Sequence, residues 1–173
     1  AQARLHELSL LSQAGESLNK ATSLEEVLNV TLDAALSIAG IREGSIVLVD
    51  RATDTLRLAV SRNVPAEIIQ EFNNRRLPSS TGTFGIVIRT GEIFETEDAE
   101  SDSRVVKGLF PLKKELTNIP LKTEAGVIGI LVLDTLLTPS QKRLISALAD
   151  VAAVAISRAM LFAERDRRIR ELS

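Results

Sequence analysis

From Leu144 to Ala159 the sequence is apolar on almost every side of a helix, through Leu148, Val151, Val154 and Ile156. Such a helix belongs in a core. From Phe162 the character changes to Ala-Glu-Arg-Asp-Arg-Arg-Ile-Arg-Glu-Leu-Ser, charged with sparse apolar positions. A helix that is apolar on many sides and then polar on most has left its own core. Ile169 and Leu172 stay in step with Phe162 and Arg165, the spacing of a two-helix coil; the other reading of residues 164–173 is a frayed, solvated tail. The helix should start near Thr138-Pro139-Ser140, with Ser or Thr capping it and Pro in its first turn.

What this helix packs against is set by the rest of the 173 residues, of which 45% are hydrophobic, enough for one globular domain with a helical extension. No uninterrupted apolar run approaches the roughly 18 residues of a membrane span. The chain opens Ala-Gln-Ala-Arg, without a signal peptide or an initiator Met, so a segment of a longer protein is expected. A net charge of −2 supplies no electrostatic case for nucleic acid or an anionic membrane. With no Cys and one His, thiol catalysis, disulfides, thiolate metal sites and iron–sulfur ligation are excluded.

Along the chain the hydrophobic period changes twice. Arg4 to Lys20 carries Leu5, Leu8, Leu11 and Leu18 in a narrow helical stripe, closer to a helix–helix seam than to a deep core face. Ser23-Leu24-Glu25-Glu26 reads as a capping box, and the helix that follows stops at Gly40. Gly44–Asp50 and Leu56–Ser61 are β-branched runs around a polar turn, a hairpin. Pro65 to Phe72 reads as a helix, Arg75–Pro78 as a short strand, and Ser79–Gly82 as a loop. A short helix runs through Gly85–Arg89 to Gly91, and Ile93–Thr96 is the next strand. Residues 97–115 are irregular. Leu116–Lys122 and Gly126–Asp134 form a last antiparallel pair. This order belongs to an α+β domain with a central antiparallel sheet of about six strands flanked by helices, the first and long last helices packed together.

Three stretches in the expected order resemble the GAF family of sensory domains. Ile119-Pro120-Leu121-Lys122-Thr123-Glu124-Ala125-Gly126-Val127-Ile128-Gly129-Ile130-Leu131-Val132-Leu133-Asp134 is similar to that family's penultimate strand, turn and last strand. Gly82-Thr83-Phe84-Gly85-Ile86-Val87-Ile88-Arg89-Thr90-Gly91-Glu92-Ile93-Phe94 resembles its Gly-rich loop, short helix and next strand, and Leu144–Phe162 resembles its final helix. The resemblance implies a sensory domain over residues 1–165, with a leading helix (1–20), an α/β core (21–137) and a closing helix (138–165). Residues 166–173 would begin a linker to an output domain. It further implies a non-catalytic, cytoplasmic module of a larger bacterial signalling protein, two-component systems among them. Such a module dimerises through Arg4–Lys20 and Leu144–Leu172 and binds a small molecule; the other reading is a ligand-free dimerisation and spacer module.

No cofactor is expected. A bilin is held through Cys and the family's methionine sulfoxide reductases work through cysteines, neither available here. Haem needs an axial His, and His6 sits on the leading helix. The family's cyclic-nucleotide signature, Asn-Lys…Phe…Asp-Glu, is missing. Gly82 and Gly85 have neither P-loop nor dinucleotide spacing. Asp98 and Asp102, as an acid–base pair, lack a nucleophile or oxyanion donors; with Glu97 and Glu100 they lack the spacing of a Ca²⁺ loop. What remains is a pocket between one sheet face and the elements crossing it. Its candidate walls are Phe84, Phe94, Val105, Phe110 and Ile119, which read equally as plain core. Its candidate polar groups are Thr83, Thr96, Arg104, Lys107 and Thr117. Arg104 and Lys107 would meet an anion or stand as solvated surface charge.

Overall fold

The structure, a computed structural model, describes residues 2–107 and 114–172. Its elements in chain order are α1 (Gln2–Lys20), α2 (Leu24–Ala39), β1 (Gly44–Asp50), β2 (Thr55–Arg62), α3 (Ala66–Arg75), α4 (Gly82–Thr90), β3 (Phe94–Thr96), β4 (Leu116–Thr123), β5 (Gly126–Leu133) and α5 (Pro139–Leu172).

Local chemistry fixes the helix ends. Ser23 accepts the Glu26 N–H through Oγ at 3.1 Å, while the Glu26 carboxylate reaches back to the Thr22 N–H instead of that of Ser23. Gly40 closes α2 in the left-handed region, its N–H on the Leu36 carbonyl at 2.9 Å. At α5 the cap is reciprocal: Thr138 Oγ1 accepts the Gln141 N–H at 3.2 Å, and Gln141 Oε1 accepts the Thr138 N–H at 2.9 Å. Pro139 follows as the first helical residue, where no N–H is needed.

The five strands form one antiparallel sheet in the order β2-β1-β5-β4-β3. The expected sixth strand, Arg75–Pro78, is a single bridge between Thr55 and Pro78. Arg76 is left-handed and Pro78 has no N–H, so the ladder onto β2 cannot extend, although Leu56 donates to the Leu77 carbonyl at 2.8 Å. Bulges interrupt the β1–β2 register after Ile46 and the β4–β5 register after Leu121. Each skips one residue (Ala59 and Ile128), which reverses the side-chain alternation of β2 and β5.

The sheet separates two cores. On one face Ile46, Leu48, Ile119, Leu121, Leu131 and Leu133 pack with Leu32, Ala35 and Leu36 of α2 and Leu144, Ile145, Leu148, Ala152 and Ile156 of α5. On the other, Val47, Val49, Leu56, Leu58, Ile130 and Val132 meet Phe72 of α3, Phe84 and Val87 of α4, and Phe94, Ala99 and Val105. Ser140 Oγ at the start of α5 donates to Glu7 early in α1 at 3.2 Å, and Gln141 Nε2 to the Ile38 carbonyl at the end of α2 at 3.2 Å. The two terminal helices therefore run in the same direction and α2 against them.

An 18-residue window of α5 reaches a mean hydropathy of 1.8, so by length and composition it is able to cross a membrane. Such a window tolerates isolated charges, and the core helix of a globular domain meets the same measure. The inward side of this helix, from Leu144 to Ile156, is buried in the core. Its last buried side chain is Ile156, yet the helix continues to Leu172, about 24 Å further at 1.5 Å per residue. Truncating the fully buried Leu148 to Ala should lower unfolding free energy by about 2–5 kcal/mol in urea titrations, while Leu148→Met should cost less than about 1.5 kcal/mol.

Candidate functional site

Alternation along β4 decides which candidates share a face. Thr117 points to the helix layer, its Oγ1 donating to the Thr135 carbonyl at 2.6 Å, and Ile119 is fully buried in that layer's core. Both therefore lie behind the sheet from Phe84 and Phe94, a correction to the expected pocket. Their neighbour Asn118 faces the other way, paired across the strands with Phe94 and Val132.

Asn118 is 1% exposed, and its Nδ2 donates to Thr83 Oγ1 at 3.0 Å. Its carbonyl oxygen, Oδ1, is buried without a hydrogen-bond partner. A bare buried carbonyl costs stability, so it marks a position to be explained. Thr83 reaches it because α4 starts at Gly82, three residues before the expected Gly85. Thr81 precedes the helix without a side-chain cap and turns its hydroxyl to the Pro78 carbonyl at 2.6 Å. Phe84, one residue on, meets Phe72 edge-to-face with centroids 6.0 Å apart. Gly82 has φ +51°, and a Cβ there would come within 2.5 Å of Val106 Cγ2 and 3.0 Å of the Arg104 carbonyl. The 104–106 segment thus rests on the first turn of α4.

The loop holding that segment uses its own cations. Arg104 forks onto Asp102, Nε to Oδ1 at 2.9 Å and an outer nitrogen to Oδ2 at 2.7 Å, and its guanidinium lies 4.7 Å above the Phe94 ring. Lys107 Nζ donates to the carbonyls of Ala99 and Asp102 at 2.5 and 2.7 Å. Thr96 Oγ1 accepts the Asp98 N–H at 3.3 Å, and Val105 is buried beneath. Arg104 and Lys107 are exposed, and their polar contacts are with atoms of the loop itself. The Arg104 side chain holds the Asp102 carboxyl far below the usual aspartate range, aided by the Arg104 backbone N–H and the Thr96 hydroxyl and opposed by desolvation. That commitment removes Asp102 from an acid–base pair with Asp98. Among the described residues no group of three or more His, Cys, Asp or Glu converges to hold a metal. Phe110 lies outside the described residues.

Of the ten candidates, Thr83, Phe84, Phe94, Thr96, Arg104, Val105 and Lys107 share the α4 face or the loop upon it. Asn118 escaped the sequence reading, although an Asn between β-formers in mid-strand is a signal in its own right. A separate, open groove of about 590 Å³ runs along α5, lined by Ile93, Pro139, Lys142, Arg143, Ser146, Ala147 and Asp150; none of the ten lines it.

An antiparallel sheet with a helix layer behind and short helices in front defines a class of α+β domain, and the comparisons place the chain within it. The GAF domain family profile matches residues 21–157, most of the chain. The protein belongs to the GAF domain family. The GAF domain of a phosphoenolpyruvate-protein phosphotransferase from Coxiella burnetii superposes with a TM-score of 0.79 at 19% identity, covering 93% of this chain and 98% of that one. The corresponding Acinetobacter domain gives 0.75 at 20% identity, covering 90% and 95%. A domain of a two-component sensor histidine kinase from Sinorhizobium meliloti 1021 gives 0.63 at 22%, covering 86% and 99%. No curated protein matches the sequence.

The Asp102 contribution to loop stability is present above the ordinary aspartate value of 3.8 and is lost only as pH falls toward the depressed folded value. Carboxyl ¹³C titration should show Asp102 still ionised below pH 3.8; Arg104→Ala should return its midpoint toward that value. Gly82→Ala should destabilise the fold by about 1–3 kcal/mol in denaturant titrations, since it adds a clash to a left-handed backbone.

Proposed function

We propose that this GAF domain is a non-catalytic sensory module of a bacterial, cytoplasmic signalling protein, dimerising through α1 and α5 and passing its state to an output domain beyond residue 166. The observation that carries this reading is the course of α5, which runs in the direction of α1 and outlasts the body it covers. On its far side Val151, Val154, Leu161, Phe162, Ile169 and Leu172 are exposed, as are Leu5 and Leu8 on α1. A stripe of this length on one surface is suited to a partner helix. A parallel seam with a second copy covers it and places both exits side by side.

The link between the two faces runs through β4. Asn118 looks toward α4, whereas Thr117 bonds the segment leading into α5 and Ile119 lies in the helix-layer core. A small molecule on the α4 face would act on a strand whose alternate side chains bear on the exit helix, favouring one of its arrangements. The burial of Phe84, Phe94 and Val105 among one another favours a second reading, a ligand-free spacer with the same dimer.

Because the chain contains no Cys, single cysteines report the seam cleanly. Under mild oxidation Phe162→Cys and Ile169→Cys should cross-link into dimers, and Arg167→Cys should not. Sedimentation on dilution should give a reversible monomer–dimer equilibrium. A chain monomeric at high micromolar concentration, or cross-linking without positional preference, contradicts the proposal.

A further inference from the structure

We infer that the Asn118–Thr83 pair is the recognition point of the α4 face, and that its ligand is a small uncharged molecule of the primary-amide or lactam type. This rests on the sensory reading above, whose ligand it specifies.

The orphaned Oδ1 of Asn118 sets the first requirement, a hydrogen-bond donor. Asn118 stands in mid-strand between Phe94 and Val132, which are themselves 6% and 7% exposed, so solvent does not supply that donor freely. Thr83, 2% exposed, sets the second requirement. Its oxygen already accepts from Asn118 Nδ2, which leaves the hydroxyl proton to be given to an acceptor. One acceptor and one donor side by side match the edge of a carboxamide, whose N–H would meet Oδ1 and whose carbonyl would take the Thr83 proton.

Charge sets the third requirement. A charged group buried here would need a counter-ion. Two cations of the overlying loop are committed, Arg104 to Asp102 and Lys107 to the Ala99 and Asp102 carbonyls. Asp102, on the same loop, is held by Arg104. Against Phe84, Phe94 and Val105 a carboxylate or ammonium ligand would find Arg104, Lys107 and Asp102 already engaged, whereas a neutral amide needs no counter-ion. The walls offer Phe rings and no Trp or Tyr, which suits a compact ligand over an extended heterocycle.

The test uses the full 173-residue chain labelled with ¹⁵N. Propionamide and 2-pyrrolidinone are titrated in parallel with propionate and inorganic phosphate. The readouts are the Asn118 side-chain NH₂ resonance and the thermal midpoint. Both neutral probes should move the resonance and raise the midpoint in proportion to occupancy, and neither anion should. Asn118→Leu, which removes the orphaned acceptor at similar volume, should melt at or above the wild-type temperature and bind the amides at least about tenfold more weakly. Thr83→Val, which leaves Asn118 in place, should weaken them in the same direction and serves if Asn118→Leu does not fold.

Equal responses to propionate or phosphate would overturn the ligand class and leave the sensory reading standing. No response to any probe would overturn the site, with the orphaned oxygen then met by internal water alone. The seam cross-links, independent of any ligand, tell these failures from a failure of the signalling assignment itself.

Discussion

The antiparallel pairing of β4 with β5 decides which side of the sheet every functional side chain serves. β5 is bonded on its other edge to β1, and both of its faces are covered. A strand held on four sides cannot slip by one residue without moving its whole apolar set to the wrong core. Its register in turn fixes β4, and with it the division between Asn118 on one face and Thr117 and Ile119 on the other. The bulge at Ile128 belongs to the same constraint. It lets Ile128 join the helix-side core with Leu131 and Leu133, although strict alternation would put it on the opposite face.

The two faces carry different duties because different elements cover them. Behind the sheet lie long helices with Ala-rich contact surfaces, Ala149, Ala152 and Ala153 among them, which bring α5 close to its neighbours and leave its outer side free. In front lie two short helices and a loop that is tied together by polar contacts. The Arg104–Asp102 fork, the stacking on Phe94 and the Lys107 ammonium between two carbonyls organise this segment without a large core of its own. Such a segment opens at lower cost than the body beneath it.

What could be read from the sequence was what local chemistry dictates. Ser23 and Gly40 bound α2, and Thr138 with Pro139 opens α5, because caps depend on residues within one turn. The five strands, the closing hairpin and the long final helix follow from hydrophobic period. The failures lie where the deciding partner is distant. For Arg104 and Lys107 the sequence leaves an anion contact and solvated surface charge both open, and their partners are loop atoms whose positions only the folded chain supplies. Thr117 and Ile119 were grouped with the pocket by proximity in sequence, when the two-residue period of a strand puts them on the reverse face. Arg75–Pro78 had the composition of a strand end but not the backbone, given a left-handed Arg76 and a donor-less Pro78.

The two-faced role of β4 is open to a direct check by nuclear Overhauser spectroscopy on the intact chain. The account requires contacts from the Asn118 side-chain amide to Thr83, and from the Ile119 methyls only to the core shared by α2 and α5. Contacts between Ile119 and Phe84 or Phe94, with Asn118 turned toward the long helices, would contradict it.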